Sequence, residues 1–167
     1  MEVVEVVVEI PKGSRNKYEY DHARHVIRLD RRLFTATAYP ADYGFIPDTL
    51  AEDDDPLDAL VLVDDPTFPG CHIEARPVGV LYMEDEAGRD AKIISVPCFD
   101  PIWSGIEDLD DLPEALLSEI HHFFDVYKAL EPRKESSTIG YDRADAARKE
   151  IESCRRRFAE HSEPDDR

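Results

Sequence analysis

The feature that most constrains this chain is an acidic turn, residues 53–58, which runs directly into an apolar segment, residues 59–63. The turn holds four aspartates in six positions. At about 4 Å and an effective dielectric of about 20, each like-charge pair would cost about 4 kcal/mol. Mg²⁺ or Ca²⁺ removes that cost, because both ions prefer carboxylate oxygens as ligands. Since Pro56 stiffens the turn and Leu57 anchors it to the core, the pattern predicts a site for several metal ions that binds an anion.

The overall charge supports the same interpretation. The chain has 38 acidic and 20 basic residues, a formal net charge of −18. Such a surface repels nucleic acid and anionic membranes, so neither is expected as a partner. It also repels a free polyanionic substrate. A protein of this charge that handles phosphate must therefore bind it together with metal ions.

Length and composition predict one domain over residues 1–167, with a polar C-terminal tail from about residue 161. No apolar run approaches the ~20 residues needed to span a bilayer. The N-terminus lacks the basic region and cleavage site of a signal peptide. Three cysteines without paired spacing, Cys71, Cys98 and Cys154, are typical of free thiols in a reducing compartment. We therefore expect a cytoplasmic protein.

The first two thirds of the chain show the patterns of short strands. Alternation of apolar and polar residues, or short apolar runs between turn formers, predicts strands at 4–10, 18–20, 26–29, 57–63, 71–76, 78–83 and 92–96. Residues 39–47 are aromatic and rich in turn formers, which indicates an ordered loop. This spacing predicts a small antiparallel barrel or sandwich.

The last third changes to a helical period. Asp111, with Glu114 three residues later, predicts a helix start. The apolar face of this first helix comprises Leu116, Leu117, Ile120, Phe123, Phe124, Tyr127 and Leu130. A second helix is expected after Asp142, with Ala144, Ala147, Ile151, Cys154 and Phe158 on one face. The predicted fold class is α+β, with a mainly β core and two flanking C-terminal helices.

Several groups suited to phosphoryl chemistry lie where strands or helices meet turns. They are Glu9, Lys17 and Glu19; Asp30 and Arg31; Asp53, Asp55 and Asp58; Asp85, Asp90 and Lys92; and Tyr127 and Lys128. Carboxylates can hold metal ions, whereas bases and phenols can hold phosphate oxygens. Each group taken alone is more often an ordinary surface or core residue, so the hypothesis depends on their combination.

Taken in order, these motifs resemble family I soluble inorganic pyrophosphatase in its bacterial short form. The similarity spans residues 5–131 and includes segments 9–19, 30–31, 39–44, 53–58, 85–92 and 122–128. The resemblance implies a five-stranded OB-like barrel and a homohexamer. It also implies Mg²⁺-dependent hydrolysis of pyrophosphate, bound as its metal complex, to two orthophosphates. The reaction would proceed by direct attack of a metal-activated water or hydroxide.

The resemblance also implies a role for each matching residue. Metal ligands would be Glu9, Glu19, Asp53, Asp58, Asp85 and Asp90. Asp55 would be the base at the attacking water, with Asp90 as the second candidate. Phosphate contacts would be Lys17, Arg31, Tyr43, Lys92, Tyr127 and Lys128, with Tyr39 as a supporting aromatic. Several Mg²⁺ ions would be bound, and Mn²⁺ or Zn²⁺ are possible substitutes.

One departure from the family pattern lies in the acidic turn. The family usually has glycine where this chain has Asp54. If that position requires a positive φ, aspartate is one of the better tolerated replacements, at a cost of about 1 kcal/mol. A second departure begins after Glu131, where residues 132–138 differ from the usual glycine- and lysine-rich apolar stretch.

Two common motifs for binding calcium or nucleotides do not fit the sequence. Residues 53–64 do not fit a calcium-binding EF-hand, because Asp58 stands at the glycine position and Asp64 at the final glutamate position. No glycine precedes a Lys-Ser or Lys-Thr pair, which excludes a Walker loop. Two alternatives remain open: hydrolysis of another phosphoanhydride, such as tripolyphosphate or a nucleoside triphosphate, and a catalytically silent protein that binds divalent ions or phosphate.

Overall fold

The computed structural model describes residues 2–162, and most of its secondary structure is strand. The strands are β1 (Val4–Ile10), β2 (Asn16–Asp21), β3 (Val26–Arg32), β4 (Asp42–Phe45), β5 (Asp58–Val61), β6 (His72–Asp85), β7 (Gly88–Pro97) and β8 (Ser136–Arg143). The helices are α1 (Glu114–Val126) and α2 (Ala144–Ser162), with short 3₁₀ turns at Pro101–Trp103 and Leu109–Asp111. The mainly β prediction with two C-terminal helices is confirmed.

Five strands close into a ring. Neighbours pair in the order β1, β4, β5, β7 and β6, and β1 also pairs with β6. β6 makes this closure possible because its register shifts between Pro77 and Gly79. Its first residues pair with β1, and its second half pairs with β8, the sixth strand of the sheet. The two strands expected at 71–76 and 78–83 are therefore one continuous strand.

The prediction of a wholly antiparallel sheet was wrong at one pair. β5 and β7 run parallel, which places Asp58 opposite Lys92. The other pairings within the ring are antiparallel. Parallel neighbours need a long connection, and here the intervening strand β6 provides it.

The two helices cover separate apolar clusters. Ile120, Phe123 and Phe124 of α1 pack with one cluster, and Ala147 and Ile151 of α2 pack with the other. In both helices the buried residues recur at three or four positions, so their side chains share one face. This periodicity is why both helices could be predicted from the sequence.

Some local predictions were wrong. Residues 39–47 contain strand β4 rather than only loop. β8 was not predicted, because residues 136–143 contain only Ile139 and Tyr141 as large apolar side chains and so show no apolar run. α1 begins after Pro113 without a side-chain cap, since the Asp111 carboxylate completes a capping box in the preceding 3₁₀ turn.

The predicted end of the first helix needs correction. Leu130, expected on the buried face of α1, lies beyond the helix and is 66% exposed. The second helix, α2, ends at Ser162, next to the predicted start of the polar tail at about residue 161. The rest of that tail, 163–167, lies outside the described residues.

Gly44 is the position at which β1 and β4 approach too closely for a side chain. A Cβ added there would lie 1.8 Å from the Val7 carbonyl oxygen. We predict that Gly44→Ala lowers the free energy of unfolding by more than about 3 kcal/mol, because β1 and β4 would have to separate. Urea unfolding followed by circular dichroism measures this loss.

Gly105→Ala is the matched control for Gly44→Ala. A Cβ at Gly105 would meet no heavy atom within 4 Å, so its unfolding midpoint should stay close to that of the wild type. Equal stability of the two variants would contradict the close packing of β1 against β4.

Candidate active site

One cavity of about 470 Å³ contains every side chain for which the sequence predicted a metal, catalytic or phosphate role. Its wall includes Glu9, Lys17, Glu19, Arg31, Tyr43, Asp53, Asp55, Asp58, Asp85, Asp90, Lys92, Tyr127 and Lys128. They come from β1, the β2–β3 hairpin, β4, the acidic turn, β5, the β6–β7 hairpin and the end of α1. Groups up to 119 positions apart in the sequence therefore face the same space.

Lys92 lies at the closed end of this cavity and is 2% exposed. Its Nζ donates to Asp58 at 2.9 Å and to the Tyr43 hydroxyl at 2.8 Å, and it lies 2.8 Å from Asp90. Tyr43 in turn donates to Asp58 at 2.7 Å. Burial lowers the pKa of Lys92, but Asp58, Tyr43 and Asp90 together outweigh it and hold that pKa well above its usual value. The lysine is therefore a fixed positive charge.

The backbone of the acidic turn has a positive φ at Asp54, the position at which the family usually has glycine. Asp54 has a φ of 67°, in the left-handed region that aspartate tolerates better than most residues. The peptide nitrogen of Asp55 donates to the Asp53 carboxylate at 3.1 Å, and the buried Leu57 anchors the turn through its own nitrogen on Thr49. Asp53 and Asp55 line the cavity, whereas Asp54 is not part of its wall.

Several carboxyl groups in the cavity have raised pKa values. Burial raises the pKa of Glu9 to about 7, assisted by the charges of Asp58 and Glu19, although the Tyr20 peptide N–H lowers it. Burial also raises the pKa values of Asp53 and Asp55, with further contributions from neighbouring acids. The main cause of all three shifts is burial, and neighbouring carboxylates add to it.

The bases in the cavity only partly compensate these carboxylates. Lys17 lies 2.6 Å from Glu19 and 3.3 Å from Asp30, and Lys128 lies 3.6 Å from Asp85. The wall as a whole carries eight carboxylates and five lysine or arginine side chains, an excess of three negative charges. An anion such as pyrophosphate would be repelled unless cations accompanied it.

The donor set suits hard divalent cations, because the acidic side chains offer only oxygen ligands. Within residues 2–162, no three His, Cys, Asp or Glu side chains lie together in an arrangement that could hold one metal ion. Lysine ammonium groups lie between the carboxylates instead, as Lys92 does between Asp58 and Asp90. A cation bound at these oxygens would compete with those lysines.

Tyr39 and Tyr127 belong to a group of packed aromatic rings next to the cavity. Tyr39 is buried and packs against Tyr43 at 5.5 Å and Phe123 at 4.7 Å between ring centroids. Tyr127 stacks on Phe123 at 5.3 Å. Tyr127 thus belongs both to the buried stripe of α1 and to the cavity wall.

Sequence reasoning did not assign a role to several other residues of this wall. Asp30, His22 and Lys134 also line the cavity. His22 packs edge-on against Tyr20 and Phe45, at 4.7 and 5.1 Å between ring centroids. Asp30 was singled out in the sequence together with Arg31 but was given no role, and Lys134 lies in the segment that departs from the family pattern.

Comparison with known proteins decides the family. The family described as inorganic pyrophosphatase matches residues 6–159. The chain belongs to the inorganic pyrophosphatase family. The predicted membership in family I and the predicted class of enzyme, an inorganic diphosphatase, are confirmed.

Relatives match over nearly their whole length. An inorganic pyrophosphatase of Methanosarcina mazei is 55% identical over 155 residues, which is 93% of this chain and 91% of the relative. One from Leifsonia xyli is 56% identical over 153 residues, 92% of this chain and 94% of the relative. The crystal structure of the Thermus thermophilus inorganic pyrophosphatase superposes with a TM-score of 0.93 at 51% identity, covering 95% of this chain and 92% of that one.

The raised pKa of Glu9 predicts a pH-dependent stability of the metal-free protein. Its pKa is about 7 in the folded state against 4.5 ordinarily, so the folded protein retains a proton that the unfolded chain releases. The resulting stabilisation is complete below about pH 4.5 and is lost as the pH rises through 7, by up to about 3 kcal/mol. Urea unfolding in EDTA from pH 5 to 8 measures it.

In Glu9→Gln this part of the decline between pH 5 and 7 should disappear, because the amide does not titrate. Glu119→Gln, which removes an exposed carboxylate from α1, should retain the decline of the wild type. A decline equally steep in Glu9→Gln and in the wild type would show that Glu9 does not cause it.

Proposed function

We propose that this protein hydrolyses inorganic pyrophosphate to two orthophosphates in a Mg²⁺-dependent reaction, by direct attack of water and without a phosphoenzyme. The observation that carries the proposal is the convergence of all thirteen predicted side chains on one cavity. Membership of the family supports the same reaction. Pyrophosphate would enter as its metal complex, because the cavity wall alone carries an excess of negative charge.

Several Mg²⁺ ions would be held by carboxylates from four parts of the chain. Asp53, Asp58 and Asp90 would bind one ion, with Asp58 shared by a second, and Asp85, Glu9 and Glu19 would bind others directly or through water. When bound, such ions neutralise the carboxylates and lower the pKa of coordinated water towards neutrality. Mn²⁺ and Zn²⁺, which also accept carboxylate oxygens, would be substitutes.

The bases and phenols of the wall would orient the diphosphate. Arg31 and Lys17 come from the hairpin, and Tyr127 and Lys128 come from the end of α1. Lys92 and Tyr43 would contact phosphate at the closed end, where their mutual hydrogen bond fixes both. Charged donors held in place in this way stabilise the negative charge that develops on the leaving phosphate.

Asp55 would take the proton of the attacking water. Its carboxylate makes no ion pair within residues 2–162, so an oxygen is available to accept a hydrogen bond. Burial and the charge of Asp58 raise its pKa, which makes it a stronger base. Asp90 is the second candidate, but its carboxylate is already paired with Lys92 at 2.8 Å.

The role of Asp55 is tested by Asp55→Asn. The amide cannot accept a proton, so kcat should fall by about 10²- to 10⁴-fold while the fold and most of the metal binding remain. Phosphate release from magnesium pyrophosphate measures kcat, and calorimetry measures Mg²⁺ binding.

The matched control is Asp54→Asn in the same turn. Asn tolerates the positive φ of this position, and Asp54 does not line the cavity, so kcat should stay within about 2-fold of wild type. An unchanged rate in Asp55→Asn would remove Asp55 from the mechanism.

The substrate and the metal are tested together. Phosphate release should require Mg²⁺, disappear in EDTA, and be at least about 10²-fold faster with pyrophosphate than with tripolyphosphate or ATP, because the two phosphates of pyrophosphate would use all of the proposed phosphate contacts. Comparable rates on the longer substrates would favour a general phosphoanhydride hydrolase. Metal binding without any phosphate release would favour the silent binding protein.

The proposal also covers the barrel type, the assembly and the location of the protein. The ring of five strands would correspond to an OB-like barrel, the chain would form one domain and assemble as a homohexamer, and the protein would reside in the cytoplasm. No helix within the described residues is long and apolar enough to cross a membrane. The mass from light scattering after size exclusion tests the assembly.

A further inference from the structure

An unbroken series of ion pairs runs along one wall of the cavity. Starting from Glu19, it passes through Lys17, Asp30, Arg31 and Glu131 to Lys134, with acids and bases alternating. It joins the β2–β3 hairpin to the turn that follows α1, two segments about 100 positions apart in sequence. Five of its six members line the cavity, and Glu131 does not.

Glu131 is also the most deeply buried member of the series. Its side chain is 3% exposed, compared with 17% for Arg31 and 39% for Lys134. A buried carboxylate is costly unless it is paired. Because Glu131 is separated from the cavity by its own partners, it cannot touch a bound diphosphate. Any effect that it has on the reaction must therefore pass through Arg31 or Lys134.

The contact with Arg31 involves one side of the guanidinium group. Nη2 donates to Oε2 of Glu131 at 3.2 Å, and Nε lies 2.6 Å from Oε1 as an ion pair whose N–H is not directed at that oxygen. Nη1 donates to Asp30. A guanidinium has five N–H donors, so both terminal nitrogens retain a donor for phosphate. Glu131 thereby determines the orientation of those donors.

We propose that Glu131 is a positioning residue, which holds the Arg31 guanidinium at the phosphate-binding wall and ties the hairpin to the turn after α1. The proposal rests on the proposed function, since it takes Arg31 as a phosphate contact. It explains why a carboxylate is buried in a turn whose surroundings are otherwise exposed. It also gives a reason for two acids, Asp30 and Glu131, to contact Arg31: together they restrict the orientation of its guanidinium group.

The test is a double-mutant cycle. Glu131→Gln should lower kcat/KM for magnesium pyrophosphate about 10- to 100-fold, the range expected when one charged hydrogen bond is misaligned. In the Arg31→Gln background the same substitution should cost less than about 3-fold, because no guanidinium remains to be positioned. A merely structural role would give the same loss in both backgrounds, and that result would overturn the proposal.

Glu135→Gln is the matched control. Glu135 carries the same charge four residues further along, is exposed, and makes no ion pair among the described residues. Its kcat/KM should stay within about 2-fold of wild type. A loss as large as that of Glu131→Gln would mean that the general charge of this turn matters, not the pairing of Glu131, and would also overturn the proposal.

Arg31→Lys provides a second variant if Glu131→Gln does not fold. Lysine keeps the positive charge but has a single nitrogen, which cannot contact Glu131 and a phosphate with separate donors. We expect a loss of about 10-fold in kcat/KM with an unchanged melting temperature. Wild-type kinetics in Arg31→Lys would show that the fixed guanidinium is unnecessary and would contradict the proposal.

Binding of magnesium imidodiphosphate, a non-hydrolysable analogue, separates this proposal from the proposed function. If the wild type releases no phosphate, the proposed function fails, yet calorimetry can still measure the cycle on the analogue. There, Glu131→Gln should weaken binding about 10-fold or more, and only when Arg31 is present. If the wild type is active but neither kcat/KM nor analogue binding changes in Glu131→Gln, only the positioning role of Glu131 is overturned.

Discussion

The arrangement of this site depends on one buried cation. The Lys92 ammonium lies within 3 Å of Asp58, Asp90 and the Tyr43 hydroxyl, and thereby links β4, β5 and β7 at the closed end of the cavity. A lysine this deeply buried is tolerated only because two carboxylates and a phenol replace its hydration. The ammonium group also lies over the ring of Phe124, with 5.3 Å between its nitrogen and the ring centroid. A shift of Lys92 would leave Asp58 and Asp90 without their counter-charge. The lysine therefore fixes this end of the cavity.

The surplus of negative charge connects the composition of the chain to its chemistry. The whole protein carries a formal charge of −18, and the cavity wall alone retains an excess of three carboxylates. Burial raises the pKa values of Glu9, Asp53 and Asp55, and neighbouring carboxylates add to the rise. Divalent cations at these oxygens would offset the excess negative charge and allow the proposed diphosphate substrate to approach.

The cavity has two walls of different construction. The ring contributes Asp58, Asp90 and Lys92 from paired strands, where hydrogen-bonded register fixes each position. The opposite wall consists of the β2–β3 hairpin and the turn after α1, which do not share a sheet. Arg31 and Glu131 join these two segments. One part of the wall is therefore fixed by strand register and another by ion pairs between side chains.

The sequence by itself determined which chemical groups the site contains. The acidic turn leading into an apolar strand, the alternation in β1 and the helical periodicity of α1 and α2 all follow from local spacing, so these strands and both helices could be predicted. The resemblance to a family that usually has glycine at this position also raised the question of a positive φ at Asp54, which the structure has.

Only the tertiary structure decided how these groups meet. The parallel pairing of β5 with β7, the bend of β6 at Pro77, and strand β8 depend on contacts between distant segments, which carry no local signal. Glu131 shows this most clearly. In the sequence it is an ordinary acid beyond a helix, and it becomes a buried partner of Arg31 only because folding brings together two residues that are 100 positions apart.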